Sequence, residues 1–566
     1  MTRTLILAVA LTTLYQCPWD TEPDPDDVAA VAVPPLGVAN DGYFATSQEC
    51  QDCHSNLPSS QAMRDSAGRP ISMYDLWSGS MMANSARDPL WRAVVSAESA
   101  ATPSLKAAIE QKCMRCHAPM ASEDVKFSGE GPVSLALLTS QTHLGNLALD
   151  GVSCAACHQI DGENLGSPES FSGGFEVRNP GISIGPHEDP YAQGMLGTSG
   201  FNPVYVDYSQ DSDLCATCHS LTTDTLTAAG GATGEQLHEQ SAYLEWLNSS
   251  YSVGDDAVTC QGCHMPIYSE DDDLIVTPIA RGRNGQDITV IDPRSPYGRH
   301  LFVGGNTLLP AIFRDNQETL NPIAGPDAFA TTAEATRRHL ATETGGIKVA
   351  RVERDSDNLE VSVEVNSITG HKLPTGIPLR RAWIYLEVVD ANSEVVFQSG
   401  RYDREGQILG ADGSPLPFEA AGGPIEPHHD VIRSASEVQI YEAVMAGTDG
   451  QPTFTLLRGA DFYKDNRILP DGWSNAFERV ADIAPRGVDG DLNFRGGADD
   501  VTYVVDVGRR EGPFTVSAQL LFMPLSQRFA NELFKVNTPE IRAFKAMWSN
   551  VPHSPEVIAT DAVSAQ

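Results

Sequence analysis

VTCQGCHMPIY, residues 258–268, sets Cys260, Cys263 and His264 in a Cys-x-x-Cys-His run. Such a run can be half of a zinc ribbon, a redox dithiol, or an attachment site for a covalently held cofactor. One copy leaves the three open. The pattern recurs at Cys50-Cys53-His54, Cys113-Cys116-His117, Cys154-Cys157-His158 and Cys215-Cys218-His219. The five runs use ten of the eleven cysteines, so nothing is left for the separate disulfide framework common in exported chains. A zinc ribbon needs two pairs per metal, and five pairs do not divide by two. Zinc also gives no reason for a histidine directly after each second cysteine. A thioredoxin-like dithiol is expected once, beside a βαβ pattern. With 14 histidines in 566 residues, five such placements by chance have a likelihood on the order of 10⁻⁸, whereas the spacing is the attachment rule for c-type haem.

Five covalently bound haem c groups are the reading that remains. Two thiols add to the two vinyl groups on one porphyrin edge, so they must lie on one helical turn. The next residue then sits under the ring, where its imidazole binds iron. His54, His117, His158, His219 and His264 are therefore predicted proximal ligands, with the ten paired cysteines as the covalent anchors.

At 566 residues the chain has room for two or more domains. A net charge of −37 argues against nucleic acid as a partner and suits basic proteins or cations. Residues 1–17 read as an export signal with a short apolar core. Cys17 at its end resembles the lipid-acceptor cysteine of bacterial lipoproteins, although Tyr15 and Gln16 stand where that motif has small residues. The alternative is cleavage further on, near Ala32, which would discard Cys17. Residues 18–40 read as an acidic, Pro-rich linker. Residues 41–340 read as a mostly α and irregular five-haem domain, with short helices in the stretches that begin at Met73 and His238. Its core would be supplied largely by porphyrin. No internal apolar run is long enough to span a membrane.

After about residue 340 the pattern changes. In 358–367, Leu359, Val361, Val363 and Val365 alternate with polar residues, the period of a half-buried strand. RAWIYLEVVD, EVVFQSG, EVQIYEAVM, TFTLL, VTYVVDV and FTVSAQLLF add strands separated by turn clusters. An all-β, immunoglobulin-like sandwich is expected over 341–530. Residues 531–566 are expected as a closing helix, capped by Thr538 with Pro539 in its first turn, and a polar tail.

The motifs within GVSCAACHQI, DLCATCHSL and CQGCHMP resemble the multihaem cytochromes of the c554 type. GHKLPTG, RRAWIYLEV and YKDNRILP are similar to phrases in exported bacterial multihaem cytochromes with a C-terminal β-domain. The resemblance implies electron transfer in the periplasm or at the outer membrane or cell surface of a Gram-negative bacterium. It implies redox protein donors and acceptors, basic or membrane-bound and quinone-linked, and no membrane contact beyond a lipid anchor. No motif replaces its histidine by lysine, the variant at the catalytic haem of pentahaem nitrite reductases. An electron carrier is therefore favoured. The alternative is a reductase or dehydrogenase of a small nitrogen or sulfur compound, with one haem left open. A third reading makes the β-domain a docking module.

Nine histidines lie outside the motifs. His143, His187, His300 and His371 are the expected distal iron ligands, since each sits beside glycine or in a turn that lets backbone approach a flat ring. His428, or His429 next to it, is the fifth. Met81 or Met82 could replace one of them. His371 stands before a Pro-stiffened turn at the expected tip of the sandwich, from which it would cross to the haem region. Arg380 and Arg381 are candidate partners for haem propionates. Asp489, Asp491, Asn493 and Asp500 imitate a calcium loop, but Phe494 occupies its glycine position, so a solvated turn is expected there. Glu270 to Asp273 read as surface charge.

Overall fold

Each Cys-x-x-Cys-His run ends a helix. In the computed structural model, which describes residues 25–255 and 257–566, the five helices are Gln48–His54, Lys106–His117, Cys154–Cys157, Ser212–His219 and Cys260–His264. The helix need only be long enough to align two thiols and a histidine. The Thr259 side chain caps the last of them, accepting from the Gly262 amide. Longer helices frame the region: Pro89–Ala101, capped by Asp88 with Pro89 in its first turn, and Pro326–Thr342. The stretch from Met73 holds two helices, Met73–Ser78 and Pro89–Ala101, with turns between. In the stretch from His238 the α-helix is Ala242–Leu247, followed by the 3-10 turn Ser250–Ser252. Residues 238–241 belong instead to the strand Ala232–Ser241, paired with Ser220–Leu226.

From residue 345 the chain is β-rich. One sheet runs Gly345–Asp355, Asn358–Ser367, Ala498–Asp506, Val431–Ile432, the last parallel to its neighbour. The other runs Ile440–Ala446, Arg381–Val389, Phe514–Met523, Glu556–Ala565. Leu359, Val361, Val363 and Val365 are fully buried, as their alternation requires. They share a core with Ala382, Ile384, Leu386 and Val388 of the opposite sheet. Trp383 in that strand faces a second cluster with Ile408, Phe418 and Leu521. The strand is buried on both faces from Arg381 to Ile384, whereas Tyr385, Glu387 and Val389 on the Trp383 face are half-buried.

Three expectations are corrected here. TFTLL holds the end of a two-residue strand, Pro452–Thr453, followed by the 3-10 turn Leu456–Arg458. The expected polar tail contains the strand Glu556–Ala565, zipped along Phe514–Met523. Residues 25–40 are no free linker: Pro25–Val31 is a helix, Val31 is fully buried, and Arg92 donates to the Val31 and Ala30 carbonyls at 2.6 and 2.7 Å.

The helix Pro539–Ser549 has its amino end capped by Thr538, which accepts from the Ile541 amide. Ile541, Phe544 and Trp548 pack with Leu90, Val94 and Phe313, so the chain's last helix closes the helical core. Residues 1–24, and with them Cys17, lie outside the described residues. No described helix is long and apolar enough to cross a membrane.

Candidate haem-binding site

A single cavity of about 2540 Å³ runs through the helical region, and all fifteen motif cysteines and histidines line it. A pocket for one drug-sized ligand holds about 300–1,000 Å³. The thiols of different motifs lie against one another: Cys50 with Cys154, Cys116 with Cys218, and Cys215 with Cys260. Cys157 is also close enough to Cys218 for their charges to interact. The first motif therefore neighbours the third, the third the fourth, and the fourth both the second and the fifth.

Four of the five motif imidazoles are held ready for a metal by a hydrogen bond at Nδ1. His54 Nδ1 donates to the Ile279 carbonyl at 2.9 Å, His117 to Ser85 at 3.1 Å, His158 to Ile184 at 2.7 Å and His264 to Val303 at 2.7 Å. A proton fixed on Nδ1 leaves Nε2 as the free lone pair, the usual arrangement of a metal-ligating histidine. Burial lowers His54 and His264 and pushes His117 and His219 down to about 4. Trp91 stacks flat on His117 with ring centres 4.3 Å apart. An apolar cavity, paired thiols and neutral Nε2 atoms together fit haem c.

Of the expected distal residues, His187, His300 and His371 line the cavity. The His300 ring lies nearly parallel to that of His158, centre to centre 6.4 Å. His371 faces His264 in the same way at 6.4 Å. With metal–nitrogen bonds of about 2.0–2.1 Å, and roughly 1.1 Å from nitrogen to ring centre, two imidazoles on opposite faces of one metal stand about 6.2–6.4 Å apart. His300 and His371 each hold Nδ1 on a carbonyl, of Gly298 and Lys372, both at 3.0 Å. Burial lowers both rings to about 4.

Two expected distal residues are elsewhere. His143 is absent from the cavity wall, and its Nε2 stands 3.2 Å from Asp41. His428 lies inside the β-region with both nitrogens engaged. Nε2 is paired with Asp491 at 2.8 Å, and Nδ1 accepts from Gln439 and Asn466. Its neighbour His429 is paired with Glu426. Asp491, from the calcium-like loop, thus serves His428, and its other oxygen accepts the Asn493 and Phe494 amides.

Sequence reasoning passed over His339, which lines the cavity with Thr332, Thr336 and Glu343. Thr332, Thr336 and His339 are spaced by four and three residues along Pro326–Thr342, which sets them on one side of the helix. The His339 ring centre is 5.7 Å from that of His264, tilted by 46°. The two arginines also part company. Arg380 lines the cavity near His219 and donates to the Thr375 carbonyl at 2.9 Å. Arg381 lies over Trp383 on the outer face of its sheet and is paired with Glu419 at 2.7 Å, so it meets no cavity group.

Five repeats of the motif on the wall of one cavity are the arrangement that covalently held haem c groups require. Residues 49–159, with the first three motifs, match the family described as cytochrome c554 and c-prime. No curated protein matches the chain. Among solved structures it is similar to the crystal structure of a penta-heme cytochrome c552 from Thermochromatium tepidum. The identity is 15%, the TM-score is 0.48, and the match covers 94% of this chain and 100% of that one.

Proposed function

We propose that the chain carries five haem c groups and passes electrons from first to third to fourth to fifth motif, with the second motif joining at the fourth. The single observation that carries this is the continuous cavity whose wall contains all five motifs, with neighbouring motifs in contact. Haem supplies reversible one-electron chemistry, and the chain supplies spacing, axial ligands and exclusion of water. His158 with His300, and His264 with His371, are the proposed axial pairs. The proposed setting is the periplasm or cell surface, with redox proteins as donors and acceptors. The net charge of −37 favours basic ones. We read the sandwich as immunoglobulin-like in strand order, apart from the parallel strand Val431–Ile432 and the helices inserted before Glu556–Ala565.

One observation favours a second reading, a redox enzyme. Among the described residues, four histidines outside the motifs line the cavity (His187, His300, His339 and His371), one fewer than five irons would need. The fifth iron then takes a methionine, for which Met81 and Met82 line the cavity, or keeps an open position where substrate could bind. Pyridine haemochrome against protein mass tests the count and should give about five haems per chain; two or three would overturn the proposal. Electron paramagnetic resonance of the oxidised protein separates the readings. An all-low-spin spectrum supports the carrier, and a high-spin ferric signal supports the enzyme.

A further inference from the structure

Outside the cavity, Asp41, Asp124 and His143 each offer a ligand atom within 4.8 Å of the others. They arrive from three segments. Asp41 belongs to the turn bridged by Asn40 and Ala45, ahead of the first motif. Asp124 lies in Pro119–Ser128, the helix that follows the second motif directly. His143 opens His143–Leu149, which leads to the third. The amides of Tyr43 and Phe44 donate to Asp41 Oδ1 at 2.8 and 2.9 Å, which fixes that carboxylate and leaves Oδ2 turned toward His143.

The cluster is unfinished as it stands. Asp124 has 0% exposure, and neither of its oxygens accepts a hydrogen bond. His143 Nε2 also lacks a hydrogen-bond partner, although it sits 3.2 Å from Asp41 Oδ2. The charged groups acting on Asp124 are Asp41 and His143, and burial together with Asp41 pushes its carboxyl up to about 6. A buried carboxylate beside a second one, with no cation, is an expensive arrangement.

We propose that Asp41 Oδ2, Asp124 and His143 Nε2 bind one divalent first-row cation of the Zn²⁺ kind, with water completing the shell. Two carboxylates neutralise the ion's two charges, and one imidazole selects Zn²⁺ over Ca²⁺ or Mg²⁺, which take oxygen ligands. Two ligand atoms on one ion, at bonds of about 2.0–2.2 Å and angles between octahedral and tetrahedral, stand roughly 2.8–3.6 Å apart. The 3.2 Å contact between His143 and Asp41 falls in that range. The ion fastens together the approaches to three motifs. Without an ion, the Pro119–Ser128 helix, the His143–Leu149 helix and the turn before Gln48–His54 meet only through two adjacent carboxyl groups and an imidazole.

The test uses the haem-loaded protein, dialysed against a chelator and titrated with Zn²⁺ by calorimetry, with melting followed by circular dichroism. The expected result is one Zn²⁺ per chain and a melting temperature raised by several degrees, with Mg²⁺ and Ca²⁺ giving no comparable rise. Asp124→Asn should keep its haem content and lose Zn²⁺ affinity about 100-fold or more. His143→Gln, at a partly exposed position, repeats the measurement should the buried variant fail to fold. Absence of a stoichiometric site, undiminished affinity in the variants, or an equal rise with Mg²⁺ would each overturn the proposal.

Discussion

His371 shows what a single residue reveals and what it hides. Its loop could be read from Leu373-Pro374-Thr375-Gly376, but its partner could not, because His264 lies more than a hundred residues away in sequence. The motif histidines were legible because covalent attachment imposes a local spacing; distal ligands obey no such rule. His143 and His428 share the glycine-rich or turn setting of His300, yet carboxylates claim both. Replacing His371 with alanine should leave the haem content unchanged and turn one haem high-spin, as read by electron paramagnetic resonance. An unchanged low-spin spectrum would reduce His371 to a loop residue. Two cavity carboxyls carry a different expectation. Glu239 and Glu98 are both buried beside Cys113, and burial pushes each up to about 7. Losing those protons adds negative charge next to the second motif and favours ferric iron. At least one reduction potential should therefore fall as pH rises from 6 to 8, with a limit of about 59 mV per pH unit for one proton per electron. Film voltammetry on Glu239→Gln combined with Glu98→Gln should show that slope flattened. A slope that survives in the double variant would place the proton elsewhere.

At the scale of elements, legibility followed the source of each element's stability. Asn358–Ser367 announces itself because four alternate residues are wholly buried. Glu556–Ala565 does not: Ile558 and Ile558's neighbours in the ladder carry it, and Ile558 is its sole strongly buried apolar side chain among otherwise half-exposed positions. Its strand character comes from the backbone ladder to Phe514–Met523, a partner no local pattern names. TFTLL fails for the opposite reason. It has strand propensity, but the Leu456 and Leu457 amides donate to Glu98 at 2.6 and 3.2 Å, which holds the segment in a turn against the helical region. Truncation before Glu556 should bare the edge of Phe514–Met523 and uncover the sandwich core around Ile558. The expected outcome is a melting temperature several degrees lower and a greater tendency to aggregate, measured by calorimetry and light scattering. An unchanged melting temperature would show that the strand is ornamental to the sheet.

The two regions of the molecule meet through a buried quartet of charges that no sequence pattern pairs. Glu245 lies in the helix Ala242–Leu247, between the fourth and fifth motifs, and is fully buried. It accepts the Lys372 amide at 3.1 Å and the Thr375 hydroxyl at 2.6 Å, and it pairs with Arg467 at 3.0 Å. Lys372 and Arg467 both reach Asp465, at 2.6 and 2.7 Å. Burial would raise Asp465, but Arg467 and Lys372 hold it well below the usual carboxylate range. Two cations thus face two carboxylates, and the loop that carries His371 is fastened at the centre. Changing Glu245 to glutamine keeps the shape and leaves two buried cations on one carboxylate. Breaking a buried pair in this way costs about 3–5 kcal/mol. The urea midpoint of the haem-loaded variant should fall accordingly. The low-spin signal expected of the proposed His264–His371 pair should be lost in the same transition, because the loop and the ring move together. A cost below about 1 kcal/mol, or a low-spin signal that outlasts unfolding of the β-region, would show that the quartet does not couple the two.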